Sequence, residues 1–232
     1  MSQAEIPVPT ASKSQKVINT ASSTSTRPAL ETEGGEPKGK LVLLIGPSGV
    51  GKSVMLKKLR SDHPELHFPR SATTRERRPK EGDDLYHFLS DAEFDELLSK
   101  NKLLEWAVVH GGARYGTLVE EIVPHIQQGK IVVREVDVQG FESIRSHKLF
   151  SGDSAPYKLQ SIFLLPESEE QLIQHITKRA PMEAAELEKR MESMRLELSF
   201  AELCDHQVMN REGKLNEAYN EIEQLIASGD SL

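Results

Sequence analysis

Residues 41–53 read LVLLIGPSGVGKS and carry the strongest structural signal in this chain. The five apolar residues at 41–45 predict a strand that is buried on both faces, as in a parallel sheet. The stretch that follows matches the pattern G-x-x-x-x-G-K-[ST], and residues 53–60 predict a helix directly after it. Strand, glycine loop and helix in this order indicate an α/β protein with a phosphate-binding loop.

The glycine loop has the residue types that binding of a polyphosphate requires. Its glycines allow successive backbone amides to point at the phosphates, and the following helix adds the positive end of its dipole. We expect Lys52 to reach the β- and γ-phosphates and act in catalysis, and the Ser53 hydroxyl to ligate Mg²⁺. The residues predicted to bind the nucleotide phosphates are Gly46, Pro47, Ser48, Gly49, Val50, Gly51, Lys52 and Ser53. Kinases, GTPases and ATPases share this pattern, so it predicts a nucleotide site without selecting the reaction.

Apolar strands and helices alternate along the rest of the chain. The predicted strands lie at 131–138, 159–165 and 207–209, and the predicted helices at 91–100, 168–177, 183–203 and 216–226. This alternation predicts a parallel sheet with helices on both faces. Residues 1–38 are rich in Ser, Thr and Pro and contain no aromatic residue, so we predict a disordered tail before a folded domain at 39–228.

Composition excludes several classes of protein. The 29 Lys and Arg residues against 36 Asp and Glu give a net charge of −7, which argues against a general nucleic-acid binder. No apolar run approaches the ~20 residues of a membrane span. The single cysteine, Cys204, excludes an internal disulfide and fits a reducing compartment. We therefore expect a cytoplasmic protein with small-molecule partners, with import into an organelle as the minor alternative; whether it is a monomer or a homo-oligomer stays open.

A basic cluster at residues 71–81, SATTRERRPKE, interrupts this acidic chain. Arg75 and Arg78 are three residues apart and can address one anion from a single turn. The planar guanidinium gives two parallel hydrogen bonds to a phosphate, so the cluster predicts a second phosphate site. The alternative is a solvated charged surface, which is the usual structure of a charge run.

Several motifs in one order resemble those of the guanylate kinase family, over about residues 41–226. The motifs are GPSGVGKS at 46–53, SATTRERR at 71–78, YHF at 86–88, LEWA at 104–107, YGT at 115–117 and VDVQG at 136–140. The resemblance implies a P-loop nucleoside monophosphate kinase with a parallel sheet flanked by helices, an acceptor-binding insert at about 72–130 and a helical lid at about 172–194. It also implies Mg²⁺-dependent transfer of the ATP γ-phosphate to GMP, giving ADP and GDP in purine nucleotide metabolism.

The family's functional residues can be matched to positions of this chain. By this resemblance the GMP phosphate is bound by Arg75, Arg78, Tyr86 and Tyr115. Guanine is recognised by Ser71, Glu105 and Thr117, and Asp137 lies near the base and the metal. The lid contributes two catalytic arginines, Arg179 and Arg190. The chemistry agrees with these roles. Guanine's N1–H and N2–H₂ donors suit a carboxylate such as Glu105, and its O6 acceptor suits a hydroxyl such as Thr117 or Ser71.

Four segments depart from the family pattern. The segment at residues 81–86, EGDDLY, is one residue shorter than in the family. The segment at residues 110–114, HGGAR, is one residue longer and lacks the first of the family's two tyrosines. His175 replaces a common lid arginine, and Val54 replaces a hydroxyl residue. Two alternatives therefore stay open beside GMP kinase. One is a P-loop kinase for another phosphorylated small molecule, and the other is a catalytically weak binding domain of the same fold.

Overall fold

The computed structural model describes residues 39–109, 111–179 and 183–228, without the side chain of Arg179. The predicted N-terminal tail at 1–38 lies outside the described residues, as does His110. In the described part of the chain the strands are β1 (Lys40–Ile45), β2 (Ser71–Thr73), β3 (Tyr86–Phe88), β4 (Leu103–Val108), β5 (Arg114–Leu118), β6 (Ile131–Glu135), β7 (Lys158–Pro166) and β8 (His206–Asn210). The α-helices there are α1 (Lys52–Asp62), α2 (Asp91–Ser99), α3 (Val123–Gln127), α4 (Val138–Arg145), α5 (Glu169–Arg179), α6 (Ala184–Leu198) and α7 (Leu215–Ala227).

The first sheet has the strand order β6-β1-β7-β8, and all its strand pairs are parallel. Every residue of β1 is buried, as the apolar run at 41–45 predicts. Helices cover both faces: Met55 of α1 and Ile222 of α7 belong to the core on one face, and Phe141 and Ile144 of α4 to the core on the other. The predicted α/β class, a parallel sheet flanked by helices, is confirmed.

The second sheet has the order β3-β2-β5-β4 and is mixed, because β2 pairs in parallel with β3 and antiparallel with β5. The sequence analysis predicted none of these strands. Two of them are only three residues long, and such short runs carry no clear period. Phe94 of α2 is fully buried and packs with Ala72, Leu103 and Leu118 to form the small core of this sheet.

Two predicted elements end earlier than expected. The strand predicted at 131–138 ends at Glu135, because Asp137 caps α4 and its Oδ1 accepts a hydrogen bond of 2.7 Å from the Gly140 amide. The helix predicted at 183–203 ends at Leu198, and a separate 3₁₀ turn follows. The window predicted as a lid, 172–194, contains the end of α5 and much of α6.

Among the residues that the structure describes, none of the helices is both long enough and apolar enough to traverse a bilayer.

Candidate active site

A cavity of about 680 Å³, here called the central cleft, lies between the start of α1, the end of β6 and the second sheet. Its lining includes Lys52, Ser53, Ser71, Tyr86 and Asp137, five of the predicted site residues. The cleft therefore brings the glycine loop together with residues of the predicted acceptor site.

Three glycines of the loop adopt backbone conformations that other residues rarely reach. The φ angles are 145° at Gly46, 88° at Gly49 and 105° at Gly51. A Cβ atom at Gly46 would lie 2.6 Å from the Leu164 carbonyl oxygen, so no side chain fits there. Gly51 is the N-cap of α1, which directs the free amides of the first helical turn at the end of the loop.

Lys52 and Ser53 make contacts that agree with their predicted roles. The Lys52 Nζ donates hydrogen bonds to the carbonyls of Gly46 (2.6 Å) and Pro47 (3.2 Å), which holds the ammonium group on the loop. The Ser53 hydroxyl donates to the Glu135 carboxylate at 3.0 and 3.2 Å. The sequence analysis missed Glu135, although an acidic residue at the end of a buried strand was a usable signal.

The oxygens at this end of the cleft fit a magnesium ion. Mg²⁺ prefers oxygen ligands and is commonly bound by one or two protein groups together with substrate phosphates. The Ser53 hydroxyl and the Glu135 carboxylate supply such oxygens. Among the described residues no three His, Cys, Asp or Glu side chains converge on a metal position. A site completed by phosphates therefore fits this chain better than a cage made of protein ligands alone.

Four predicted acceptor-site residues form one row across the second sheet, here called the polar row. Ser71 of β2 lies opposite Tyr86 of β3 and Thr117 of β5, and Thr117 lies opposite Glu105 of β4. Residues paired in this way point to the same face of a sheet. Within the row the Thr117 hydroxyl donates a hydrogen bond to Oε1 of Glu105. Strand register thus brings together the three residues expected to read guanine.

Arg75 lies beside the two predicted tyrosines but is paired with an acid. Its Nε donates to the Tyr115 hydroxyl at 3.0 Å, and the rings of Tyr86 and Tyr115 lie 5.9 Å apart. Its two terminal nitrogens donate to Glu81 at 3.0 and 2.7 Å, and these bonds lower the pKa of the Glu81 carboxyl to about 2. The carboxylate thus occupies the guanidinium face expected to bind phosphate. The Arg78 side chain is exposed, and its backbone amide donates to Glu81.

Of the two predicted lid arginines, Arg190 is the one whose side chain the structure describes. Arg190 is exposed on α6 and its guanidinium pairs with Glu186 at 2.9 Å, while the Arg179 side chain lies outside the described residues. His175, at the position where an arginine is common, donates from Nδ1 to the Gly49 carbonyl at 3.0 Å. His175 therefore contacts the phosphate loop directly.

Glu197 of α6 is a residue that the sequence analysis missed. Burial raises the pKa of the Glu197 carboxyl, while a hydrogen bond from Ser193 and the positive charge of Lys52 act in the opposite direction. A hydrogen bond from the Ser48 backbone also lowers this pKa, so α6 brings the acid into contact with the loop.

Arg134 is the third missed residue, and it lies deep in the cleft. Its side chain is 10% exposed, and Nη2 lies 3.2 Å from the Ser71 hydroxyl oxygen and 3.4 Å from Oε1 of Glu105. The signal in the sequence was a charged residue inside a run predicted to be a buried strand.

The chain is similar to known proteins over most of its length. Residues 38–229 match the family model described as guanylate kinase. A guanylate kinase of Thermobifida fusca is 37% identical over 194 residues, which cover 83% of this chain and 93% of that one. One from Mycobacterium leprae is 38% identical over 196 residues, which cover 84% and 89%.

Two further matches are shorter or more distant. A guanylate kinase of Leifsonia xyli is 39% identical over 171 residues, but the match spans 64% of that relative's length, just under two thirds. The crystal structure of guanylate kinase from Anaplasma phagocytophilum superposes with a TM-score of 0.57 at 22% identity, covering 81% of this chain and 84% of that one. This last likeness concerns the fold alone.

Proposed function

The chain belongs to the guanylate kinase family, and from that membership we propose that it transfers the γ-phosphate of ATP to GMP, giving ADP and GDP. The observation that carries the proposal is the polar row, which faces the same cleft as the glycine loop. Two nucleotides bound at these two places would meet with their phosphates end to end, as direct phosphoryl transfer requires.

Guanine would be selected over adenine by the hydrogen-bond donors and acceptors of the polar row. The Glu105 carboxylate can accept from N1–H and N2–H₂, and the Ser71 hydroxyl can donate to O6. The Thr117 hydroxyl donates to Glu105 and so holds the carboxylate in place. Adenine presents an acceptor at N1 and a donor at C6, which leaves these groups without partners. A buried site built on such hydrogen bonds can reject the wrong analogue by about 10⁴-fold or more.

The phosphate of GMP would bind to Arg75, Tyr86 and Tyr115, with Arg78 as a further donor. The Glu81 carboxylate pairs with the Arg75 guanidinium, so an incoming phosphate would displace this carboxylate or share the guanidinium with it. A phosphate carries more negative charge than a carboxylate, which favours the exchange.

The phosphates of ATP would lie on the glycine loop, where Lys52 exchanges the Gly46 and Pro47 carbonyls for phosphate oxygens. Ser53 and Glu135 would hold Mg²⁺, with Asp137 nearby, and the chemistry the ion supplies when bound is neutralisation of charge on the phosphate oxygens. We assign Arg179 and Arg190 of the predicted lid to the transferred phosphoryl group, where lid closure would bring them.

We place the reaction in the cytoplasm, with ATP and GMP as the partners. Burial raises the pKa of the Cys204 thiol to about 11, so this cysteine is protonated at neutral pH and has no part in the chemistry.

An acceptor panel tests the proposal. The purified chain is assayed for ADP release with ATP and Mg²⁺ and with GMP, AMP or UMP as acceptor. We expect turnover with GMP and a kcat/KM at least about 10³-fold lower for AMP and UMP. Lys52→Ala is the control for the donor site and should abolish turnover without changing the circular dichroism spectrum.

The other outcomes identify the alternatives. Preference for another acceptor would indicate a P-loop kinase of different specificity. Binding of GMP without turnover of any acceptor would indicate a binding domain of the same fold.

A further inference from the structure

Arg134 places a positive charge where the sequence pattern predicts an apolar side chain. It lies in β6 directly after Val132 and Val133, which are 0% and 1% exposed. Burial lowers the pKa of the Arg134 guanidinium, and the charge of Glu105 opposes that effect. Because an arginine stays charged in proteins, this position needs compensating partners.

The hydrogen-bond partners of Arg134 among the described residues are incomplete. The contact with Glu105 is long, at 3.4 Å, and the second contact is to the neutral hydroxyl of Ser71. The Nε donor is buried and has no hydrogen-bond partner among the described residues. Buried donors in native proteins are nearly always paired, so an unpaired one beside a ligand cleft points to a ligand that supplies an acceptor.

Guanine has an acceptor at the corresponding position. O6 is adjacent to N1 on the base, so a guanine whose N1–H and N2–H₂ bind Glu105 directs O6 towards the neighbouring donors. Arginine is the side chain that most often contacts guanine through O6 and N7. Thr117 already donates its one hydroxyl hydrogen to Glu105, so it is not the donor to O6. Ser71 accepts from Arg134, which leaves the Ser71 hydrogen free to donate.

We propose that Arg134 is a specificity-determining residue of the acceptor site, which reads O6 of guanine with its guanidinium and orients the Ser71 hydroxyl as a second donor to the same oxygen. The inference rests on the proposed function, because it assumes that the base in the cleft is guanine. It also explains rejection of adenine, since the 6-amino group would face the guanidinium with donor against donor.

Replacement of Arg134 by a residue of similar length without donors tests this role. In Arg134→Met we expect kcat/KM for GMP to fall by about 5- to 150-fold, the range of one good arginine–guanine pair. For 6-thio-GMP, which keeps N1–H and N2–H₂ but has a weak sulfur acceptor in place of O6, the loss should be under about 3-fold. The KM for ATP should stay unchanged. Arg134→Lys, which retains one donor, should recover part of the GMP activity.

Arg145→Met is the matched control, because Arg145 is an exposed arginine of α4. It should leave the ratio of GMP to 6-thio-GMP activity unchanged. Equal losses for GMP and 6-thio-GMP in Arg134→Met would overturn the inference and indicate a purely structural role.

A measurement on the unaltered chain covers the case in which Arg134→Met does not fold. The unaltered chain should prefer GMP to 6-thio-GMP by at least about 5-fold in kcat/KM, and equal values would overturn the inference. Failure to phosphorylate GMP at all would overturn the proposed function, and the inference with it. Turnover of GMP with equal kcat/KM for both acceptors would leave the proposed function intact and overturn the inference alone.

Discussion

At the scale of single residues, the proposed acceptor site contains an anion of the protein itself, the Glu81 carboxylate. The Glu81 carboxylate binds both terminal nitrogens of Arg75 and stays ionised to a pH of about 2. Ordered pairs of this kind keep a guanidinium in position before the substrate arrives, since the fork is already oriented. On the proposed function, GMP would compete with this carboxylate for Arg75.

Arg75→Ala should therefore weaken acceptor binding selectively. Loss of a charge-assisted pair to phosphate corresponds to a rise of about 10- to 150-fold in the KM for GMP. The KM for ATP should change by less than about 2-fold, because the donor binds at the glycine loop. Steady-state kinetics with each nucleotide varied in turn measures both effects.

Arg77→Ala is the matched control for this variant. Arg77 is exposed, and its guanidinium pairs with Asp83 at the surface. Arg77→Ala should change neither the KM for GMP nor the KM for ATP by more than about 2-fold. A similar rise in both KM values for Arg75→Ala would contradict the division into donor and acceptor sites.

At the scale of elements, α2 links a local sequence signal to the second sheet. Ser90 and Glu93 form a reciprocal capping box: the Ser90 hydroxyl accepts from the Glu93 amide at 3.3 Å, and Oε2 of Glu93 accepts from the Ser90 amide at 2.7 Å. The cap starts the helix at the residue that the sequence predicts. One turn later Phe94 enters the small core beneath the sheet, so the start of α2 sets where that side chain packs.

Ser90→Ala should lower the free energy of unfolding by about 1 kcal/mol, since it leaves an amide of the first turn without its side-chain acceptor. Urea denaturation monitored by circular dichroism measures the change. Ser99→Ala is the control at the other end of α2, where the exposed hydroxyl donates to a carbonyl that can bind water instead. Its effect should stay below about 0.5 kcal/mol. Equal losses for the two serines would argue against a capping role for Ser90.

At the scale of the whole molecule, two histidines couple folding to pH. The rings of His67 and His125 stack with their centroids 3.4 Å apart, and His67 Nε2 donates to the Glu121 carbonyl at 3.1 Å. Burial lowers the pKa of both imidazoles below the ordinary value of 6.5, and the charge of His125 lowers that of His67 further. The folded chain therefore holds both rings neutral at a pH where the unfolded chain is protonated.

The sign of the resulting pH dependence follows from proton uptake. Below about pH 6.5 the unfolded state binds more protons than the folded state, so stability should fall as the pH decreases from about 7.5 to 5.5. His125→Phe keeps a stacking ring but cannot be protonated. Its urea midpoint should therefore fall less over this interval than that of the unaltered chain.

The comparison between the two proteins removes the contribution of the other histidines. His63, whose pKa is raised chiefly by the hydrogen bond that its Nδ1 donates to the Glu65 carboxylate, contributes with the opposite sign but is present in both. Parallel pH profiles for the two proteins would show that the stacked pair is not the source of the dependence.

Local patterns were sufficient for the first sheet and the glycine loop. A run of five apolar residues predicts a strand that is buried on both faces, and β1 is buried in this way; the loop glycines are required by the backbone angles at those positions themselves. The parallel sheet and the glycine loop were therefore predictable from sequence, whereas the helices α3 and α4 were not predicted. The four strands of the second sheet were not predicted. Two of them, β2 and β3, are only three residues long, and strands this short are stabilised by their partners rather than by their own pattern.

Motif resemblance named Ser71, Glu105 and Thr117 as one group, but only the tertiary structure decided how they meet. The register of three strands aligns them in a row, and register depends on pairing between segments distant in the chain. The same holds for Arg134 and Glu135. Their contacts with Glu105 and Ser53 arise from what the C-terminal end of β6 faces across the cleft. The sequence by itself determined the chemistry of the donor loop, because that chemistry is built from consecutive backbone amides; the arrangement of the acceptor site required long-range contacts that no local pattern contains.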